Sequence, residues 1–469
     1  MERQVADELK GPNRAPVDAD TIVAPASGAG PSAVAVIRIS GPKTRAVLEA
    51  LCGGVPEARH ASLRDIGLPV IDRGLVLWFP APRSFTGEDM AELQVHGSRA
   101  VVSALVEAVL ALDGTRLAEP GEFARRAFEN GKLDLTEVEG LADLIAAETE
   151  AQRRQALAQS EGSLRRLYES WRAKLLKAQA LMEAGLDFAD EADVAADVSA
   201  KANAVVVPLL AAIDKHLADR SGERLRDGLR IVIAGPPNAG KSSLMNVLAK
   251  RDVAIVSEEA GTTRDVIEVH LDLGGLPVTL ADTAGIREGI GQVEAEGVRR
   301  ALARAEDADL VVWVIDATAP QWTVPPEVER SVRGFEPVER DVEHAGRGSR
   351  HVVPVLNKID RAAAPAGFDG IAISAKTGAG LDALILRLQD IAASEMAGVG
   401  QAAAITRARH RQELVSTRDA LQRFVNHDLS PELEAEELRI AARHLGRLTG
   451  LIDVEEVLGA IFAEFCIGK

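Results

Sequence analysis

The sequence predicts a multidomain protein: an α+β domain at the N-terminus, an α-helical bundle, and an α/β P-loop domain inserted into that bundle. Three observations carry this. Short apolar runs alternate with one helical pattern up to about residue 118, and the text from about 121 to 220 is rich in Ala, Leu, Glu and Arg with almost no proline. A strand–loop–helix series from about Leu229 to Ile391 then has helical text on both sides, the mark of an insertion. At 469 residues, two or three domains are expected.

In the first domain Ala33–Ile39, Gly74–Phe79 and Ala91–His96 read as strands, and Val101–Leu112 as a helix. The region after it reads as long amphipathic helices. Beyond the insertion, Leu438, Ala441, Leu445 and Leu448 fall on one helical face, opened by Ser430 as N-cap and Pro431 at the first turn. The expected boundaries are 1–120 for the first domain, 121–222 with 392–469 for the discontinuous helical domain, and 223–391 for the insertion. Motion in the insertion would pass through two linkers. The Pro-, Gly- and charge-rich stretch from Pro320 to Arg350 reads as a surface excursion.

The insertion carries the chemistry. Gly235-Pro-Pro-Asn-Ala-Gly-Lys-Ser242 matches GxxxxGK[ST] and lies between the apolar run Leu229–Ala234 and the helical text Ser243–Lys250, the context this motif requires. Its glycines let backbone N–H groups wrap a phosphate; Lys241 reaches the β/γ-phosphates and the Ser242 hydroxyl suits Mg²⁺. Asp282-Thr-Ala-Gly285 follows the strand-like Leu276–Ala281, so Asp282 would hold Mg²⁺ through water and Gly285 would offer its N–H to a γ-phosphate. Asn357-Lys-Ile-Asp360 follows Val352–Leu356, and Ser374-Ala-Lys376 comes next. A carboxylate at Asp360 accepts from guanine N1–H and the exocyclic amine, whereas adenine presents an acceptor at N1. Two charge-assisted bonds of roughly 1.5–3 kcal/mol each imply a preference for guanine on the order of a hundredfold to ten-thousandfold. This is the motif order of a Ras-like GTPase, with GTP as substrate.

Composition bounds the rest. Hydrophobic and charged contents of 46% and 27% describe an ordinary globular protein, and no apolar run approaches the about 18 residues of a membrane span. The acidic start, Met1-Glu-Arg-Gln-Val-Ala-Asp-Glu8, reads as neither signal nor transit peptide. Cys52 and Cys466 form neither a disulfide framework nor a metal site, so a reducing cytoplasm is expected and a membrane is not. A net charge of −17 disfavours nonspecific nucleic-acid binding, and an aromatic content of 3% leaves few stacking platforms, so an RNA substrate needs a local basic surface or a partner.

Further stretches carry a resemblance: Asp20-Thr-Ile-Val-Ala24 with Ile37-Arg-Ile-Ser-Gly41, Ser84-Phe-Thr-Gly-Glu-Asp89, Pro120-Gly-Glu-Phe-Ala-Arg-Arg-Ala-Phe128 with Gly131-Lys-Leu-Asp-Leu135, and the terminal Phe465-Cys-Ile-Gly-Lys469. In these the chain resembles the bacterial tRNA-modification GTPase family MnmE, also called TrmE, along its whole length. The resemblance implies an N-terminal domain that binds tetrahydrofolate and forms a homodimer. It implies an FAD-dependent partner, MnmG, in a heterotetramer. It also implies carboxymethylaminomethyl- or aminomethyl-type modification of the wobble uridine of certain tRNAs, with a one-carbon unit from 5-formyltetrahydrofolate or methylenetetrahydrofolate. Folate contacts then fall on Arg38, Glu92, Lys132 and Lys469; ordinary salt bridges are the bland alternative. The family's glycine-rich run before the arginine appears here as Gly30-Pro-Ser-Ala-Val-Ala35. Cys466 has a buried apolar reading and a family-implied role in modification, possible as nucleophile, while its terminal context argues against lipidation.

The same resemblance addresses cleavage. Ile286 stands where many switch GTPases have a water-orienting glutamine, and the family's counterpart is Glu294, with Glu296 as competitor. The family is similar to GTPases in which K⁺ replaces an arginine finger, an effect worth about 10³- to 10⁵-fold. Asn238, the carbonyls of Ser257 and Glu259, and Thr262 would hold K⁺; Thr263 would join Ser242 on Mg²⁺. The expected GTP-lining set is Asn238, Ala239, Gly240, Lys241, Ser242 and Ser243; Ser257, Glu258, Glu259, Ala260, Gly261, Thr262 and Thr263; Asp282, Thr283, Ala284 and Gly285; Asn357, Lys358 and Asp360; and Ser374, Ala375 and Lys376. Two nucleotide domains are expected to meet face to face on activation. The alternative from another class is a regulatory ribosome-assembly switch, against which stands the lack of a basic RNA-binding appendage.

Overall fold

The computed structural model describes residues 20–28, 30–187, 192–251, 253–255, 268–282, 308–326, 328, 351–397, 403–426, 429–452, 458, 461–462, 465 and 468. The chain divides into two compact units, one comprising 1–142, 159–206 and 420–469, the other 143–158 and 207–419.

The first unit begins with β1 (Thr21–Pro25), β2 (Ser32–Ser40), α1 (Thr44–Cys52), β3 (Ser62–Ile66), β4 (Asp72–Phe79), β5 (Met90–Gly97), α2 (Arg99–Leu110) and β6 (Thr115–Leu117). These strands form one sheet in the order β3-β4-β5-β2-β1-β6, antiparallel except for the parallel β1–β6 pair. Strand alternation divides its side chains between two faces. Val23, Ile37, Ile39 and Leu93 pack with Leu48 and Leu105 of α1 and α2, while Ile22 and Ala24 pack with Phe123 on the other side.

Phe123 belongs to α3 (Glu122–Glu129), followed by α4 (Leu135–Ala146), α5 (Glu150–Ser160), α6 (Ser163–Asp187) and α7 (Ala192–Ala218). In α6, Leu164, Tyr168, Trp171, Leu175, Ala178 and Met182 make a buried stripe at helical spacing. It packs along the helix Pro431–Thr449.

The second unit holds α8 (Ser221–Asp227), β7 (Leu229–Ala234), α9 (Lys241–Leu248), β8 (Glu268–Asp272), β9 (Pro277–Asp282), β10 (Leu310–Asp316), β11 (His351–Asn357), β12 (Ile371–Ala372) and α10 (Leu381–Glu395). Its sheet runs β12-β11-β10-β7-β9-β8, parallel except for the antiparallel edge strand β8. In β10, Leu310, Val312 and Val314 enter the core on the α9 and α10 side, and Val311, Trp313 and Ile315 enter the opposite one. Burial on both faces explains why this strand reads as a continuous apolar run rather than an alternating one.

After α11 (Ala408–Val425) comes α12 (Pro431–Thr449), with Ser430 as N-cap and Pro431 in the first turn. Leu438, Ala441, Leu445 and Leu448 are all buried on it. The structure therefore bears out the multidomain class: a mixed sheet with helices, long helices, and a doubly wound P-loop sheet. Among the described residues no helix is long and apolar enough to cross a membrane.

Candidate functional site

In the parallel sheet those of the expected nucleotide residues that the structure describes lie at the carboxyl ends of the strands, where open α/β sheets bind ligands. The loop after β7 is shaped by close backbone approaches. Gly235 has φ +145°, and a Cβ there would lie 2.2 Å from the Val314 carbonyl oxygen. Gly240 has φ +96°, and its Cβ would lie 2.3 Å from Asn357 Nδ2. Between them Asn238 is left-handed at φ 63°, with an exposed side chain. Lys241 starts α9 and folds over the loop, its Nζ donating to the carbonyls of Gly235 at 2.9 Å and Pro236 at 3.0 Å. Ser242 and Ser243 are exposed in the first turn of α9. Ala239 is buried.

Asn357 ends β11 and joins two loops. Its Nδ2 donates to the Ala239 carbonyl at 2.9 Å, and its Oδ1 accepts from the Ala375 N–H at 3.0 Å. Asp360 projects an exposed carboxylate that accepts from the Ser374 hydroxyl at 2.7 Å. That bond, ahead of the more distant positive charges of Lys376 and Arg361, holds the Asp360 carboxyl below its ordinary range. Lys376 follows on the exposed side of the same turn. The P-loop and the residues expected to read the base are thus one hydrogen-bonded platform with an anionic group at its rim.

One participant is missing from the sequence reading. Asp316 ends β10 directly opposite Asn357 in the ladder, and its Oδ2 accepts from Lys358 Nζ at 2.6 Å. The same ammonium donates to the Asn238 carbonyl at 2.6 Å. Burial pushes the Asp316 carboxyl up, but Lys358 and then the Thr318 amide and hydroxyl leave it below the ordinary range. The available signal was its place: a lone carboxylate closing an apolar strand, one strand over from the asparagine.

Asp282 ends β9 beside Ile233 of β7. Ser257, Glu258, Glu259, Ala260, Gly261, Thr262, Thr263, Thr283, Ala284, Gly285 and Glu294 lie outside the described residues, as do Cys466 and Lys469.

In the first unit Arg38 and Glu92 face each other across β2 and β5. Arg38 Nε and Nη2 donate to Glu92 Oε1 at 3.2 and 2.9 Å, with the side chains 19% and 18% exposed. The guanidinium carbon lies 5.6 Å from the Phe85 ring centre and 5.7 Å from that of Phe123. Nη1 donates to the Gly468 carbonyl at 3.3 Å. Lys132 sits apart, its Nζ donating to the Pro82 carbonyl at 2.9 Å, on the loop that carries Phe85.

Below this pair runs a buried network that sequence reasoning also missed. Arg126 bonds Glu122 at 2.9 Å and Glu88 at 3.1 Å, Arg116 bonds Glu122 at 2.7 Å, and Ser40 donates to Glu88 at 2.8 Å while sharing a 2.7 Å bond with Thr86. Burial pushes the Glu122 carboxyl up, yet Arg116, the Glu119 amide and Arg126 bring it down to about 2. Glu122 and Arg126, an acid and a base four residues apart and so on one face of α3, were the signal.

Residues 21–132 match the family described as GTP-binding protein TrmE N-terminus, and residues 135–466 match the MnmE helical domain. The tRNA modification GTPase MnmE of Rhodopseudomonas palustris (strain BisB5) is 52% identical over 462 residues, 96% of this chain and 99% of its own. Those of Parvibaculum lavamentivorans and Beijerinckia indica are 52% and 51% identical, each over 96% of this chain and over 100% and 96% of theirs. Among solved structures, the G domain of the T. maritima FeoB iron transporter aligns with 35% of this chain at 24% identity, with a TM-score of 0.23, too low to add to this. With half its residues shared over nearly its full length, the chain belongs to the MnmE family of tRNA modification GTPases.

Proposed function

We propose that this tRNA modification GTPase is K⁺-dependent and that, with an FAD-dependent MnmG-like partner, it modifies the 5-position of the wobble uridine of certain tRNAs using a tetrahydrofolate one-carbon unit. It acts as a homodimer within a heterotetramer, in the cytoplasm. GTP occupies the insertion, residues 223–391, within a helical domain of 121–222 and 392–469; folate occupies the domain of 1–120. The observation that supports guanine as the base is the exposed, anionic Asp360 on the same platform as the P-loop.

The residues fit the groups this reading requires. Ser242, exposed in the first turn of α9, would with Thr263 hold Mg²⁺. Asn238 is exposed on the loop; with the carbonyls of Ser257 and Glu259 and the Thr262 hydroxyl it would make a set of neutral oxygens, suited to a monovalent cation. Bound there, K⁺ supplies the positive charge that an arginine finger supplies in other GTPases. Lys241 leaves the carbonyls of Gly235 and Pro236 to meet the β/γ-phosphates. Asn357 keeps the loop shaped, and Glu294 orients the attacking water.

For folate, Arg38 and Glu92 offer a cation and an acceptor side by side, partly exposed and flanked by Phe85 and Phe123. The arginine suits the ligand's carboxylates and the glutamate its pterin N–H groups, while Lys132 and Lys469 add charge. Cys466 acts in the modification itself.

GTP turnover in KCl and in NaCl at equal ionic strength tests the reading. Turnover is expected to be at least about tenfold faster in KCl, a fraction of the arginine-finger effect, and Glu294→Ala is expected to lose turnover while keeping GTP affinity. Equal rates in the two salts would remove the cation from the mechanism.

A further inference from the structure

Among the described residues only three non-glycine positions have positive φ: Arg59, Asn238 and Lys358. Two of the three meet at the nucleotide platform, joined by the bond from Lys358 Nζ to the Asn238 carbonyl. Left-handed backbone is unfavourable for a lysine, which keeps it only where surrounding contacts hold it, and is less costly for an asparagine. A carboxylate from β10 meets this pair at the Lys358 ammonium. Asp316 Oδ1 accepts from the Thr318 N–H at 2.9 Å and its hydroxyl at 2.8 Å, and Oδ2 from Lys358 Nζ. Its strand end is tied to β11 by the Ala317 N–H donating to the Asn357 carbonyl at 2.8 Å. Both carboxylate oxygens are therefore committed, and the Lys358 ammonium, 24% exposed, is aimed at one P-loop carbonyl.

We propose that Asp316 is a positioning residue for nucleotide hydrolysis: through Lys358 it fixes the left-handed turn at Asn238, and so sets both nucleotide retention and the aim of the Asn238 amide. The base-reading lysine and the amide expected to meet the monovalent cation are then two ends of one linkage. The cation half rests on the K⁺ reading above; the retention half does not.

Asp316→Asn keeps an acceptor for the Thr318 turn and replaces the charged oxygen facing Lys358 by an amide NH2, so its fold is expected to persist, with thermal melting as the check. The first measurement is release of a fluorescent GDP analogue in NaCl, without K⁺. The variant is expected to release it about tenfold faster, the effect of one weakened charge-assisted bond. The second is half-saturation of GTP turnover by KCl, expected to rise severalfold while turnover at saturating KCl stays within about twofold. Asp316→Asn combined with Lys358→Ala is expected to release the analogue no faster than Lys358→Ala alone, because Asp316 acts through that lysine. Unchanged release by Asp316→Asn, or additive effects in the double variant, overturns the proposal. If the wild type responds equally to K⁺ and Na⁺, the K⁺ reading is what fails, and the release measurements still decide the role of Asp316.

Discussion

Two depressed carboxylates show how differently single residues are held. Asp360 is exposed and takes its low value first from one hydroxyl, whereas Glu122 is 1% exposed and depends on Arg116, Arg126 and a backbone amide. The sign of linkage follows. A carboxyl at about 2 in the fold and at its ordinary 4.5 in the unfolded chain adds stability above pH 4.5 that disappears as pH falls towards 2. Thermal melting across that range is expected to show a loss that Glu122→Gln lacks. At pH 7 the same substitution is expected to cost roughly 3 kcal/mol, because it leaves Arg126 against a neutral amide in a buried position. A melting temperature that falls equally for both proteins between pH 4.5 and 2 would place the acid sensitivity elsewhere.

At the scale of elements, α4 carries the opposite sign. Asp134 caps it: Oδ1 accepts from the Thr136 hydroxyl at 2.9 Å and the Glu137 N–H at 2.8 Å, while Glu137 Oε2 accepts from the Asp134 N–H at 2.7 Å. This reciprocal capping box is readable in the sequence as Asp134-Leu-Thr-Glu137. Burial was not readable, and it dominates, pushing the carboxyl up to about 7, with Oδ2 meeting no hydrogen-bond partner among the described residues. Asp134 therefore adds stability below about pH 3.8 that is lost as pH rises through 7. Asp134→Asn keeps the cap acceptor and removes the buried charge. Its melting temperature relative to wild type is expected to be higher at pH 8 than at pH 6; a shift independent of pH would refute the ionisation. Elsewhere the apolar runs located β2, β4 and β5 of one sheet and β7, β9 and β11 of the other to within two residues, since burial on one or both faces sets those patterns directly, whereas β1, β3, β6, β8 and β12 were not read as strands.

For the molecule as a whole, the chain enters and leaves the P-loop sheet at neighbouring places, and the second unit fastens both. Asp143 Oδ1 accepts from Arg226, just before β7, at 3.0 Å and from Arg407, on the return, at 2.8 Å. Arg411 pairs with Glu223 at 2.7 Å and donates to the Leu217 carbonyl at 2.6 Å. The hairpin between β8 and β9 meets α5 through the Ala151 N–H to the Gly275 carbonyl at 3.1 Å, with His270 beside Glu148 at 3.3 Å. The two linkers expected from sequence are thus pinned to each other rather than loose. Asp143→Ala is expected to destabilise this unit by roughly 2–3 kcal/mol, seen as a lower denaturant midpoint, whereas a midpoint change under about 0.5 kcal/mol would mean the pairs are surface decoration.

The amino-acid order alone determined the P-loop, the guanine-reading motif, the strand and helix patterns and the family resemblance. Each depends on neighbours in the chain: a glycine where the backbone must approach closely, an apolar period, an acid after an asparagine and a lysine. Tertiary structure alone decided which distant groups meet. Lys358 finds Asp316 and Asn238 across 42 and 120 residues, Arg126 finds Glu88 across 38, and Arg38 finds the Gly468 carbonyl across 430. Such pairs depend on sheet order and register, which a local pattern does not encode, and they fix the conformations in which the legible motifs can act.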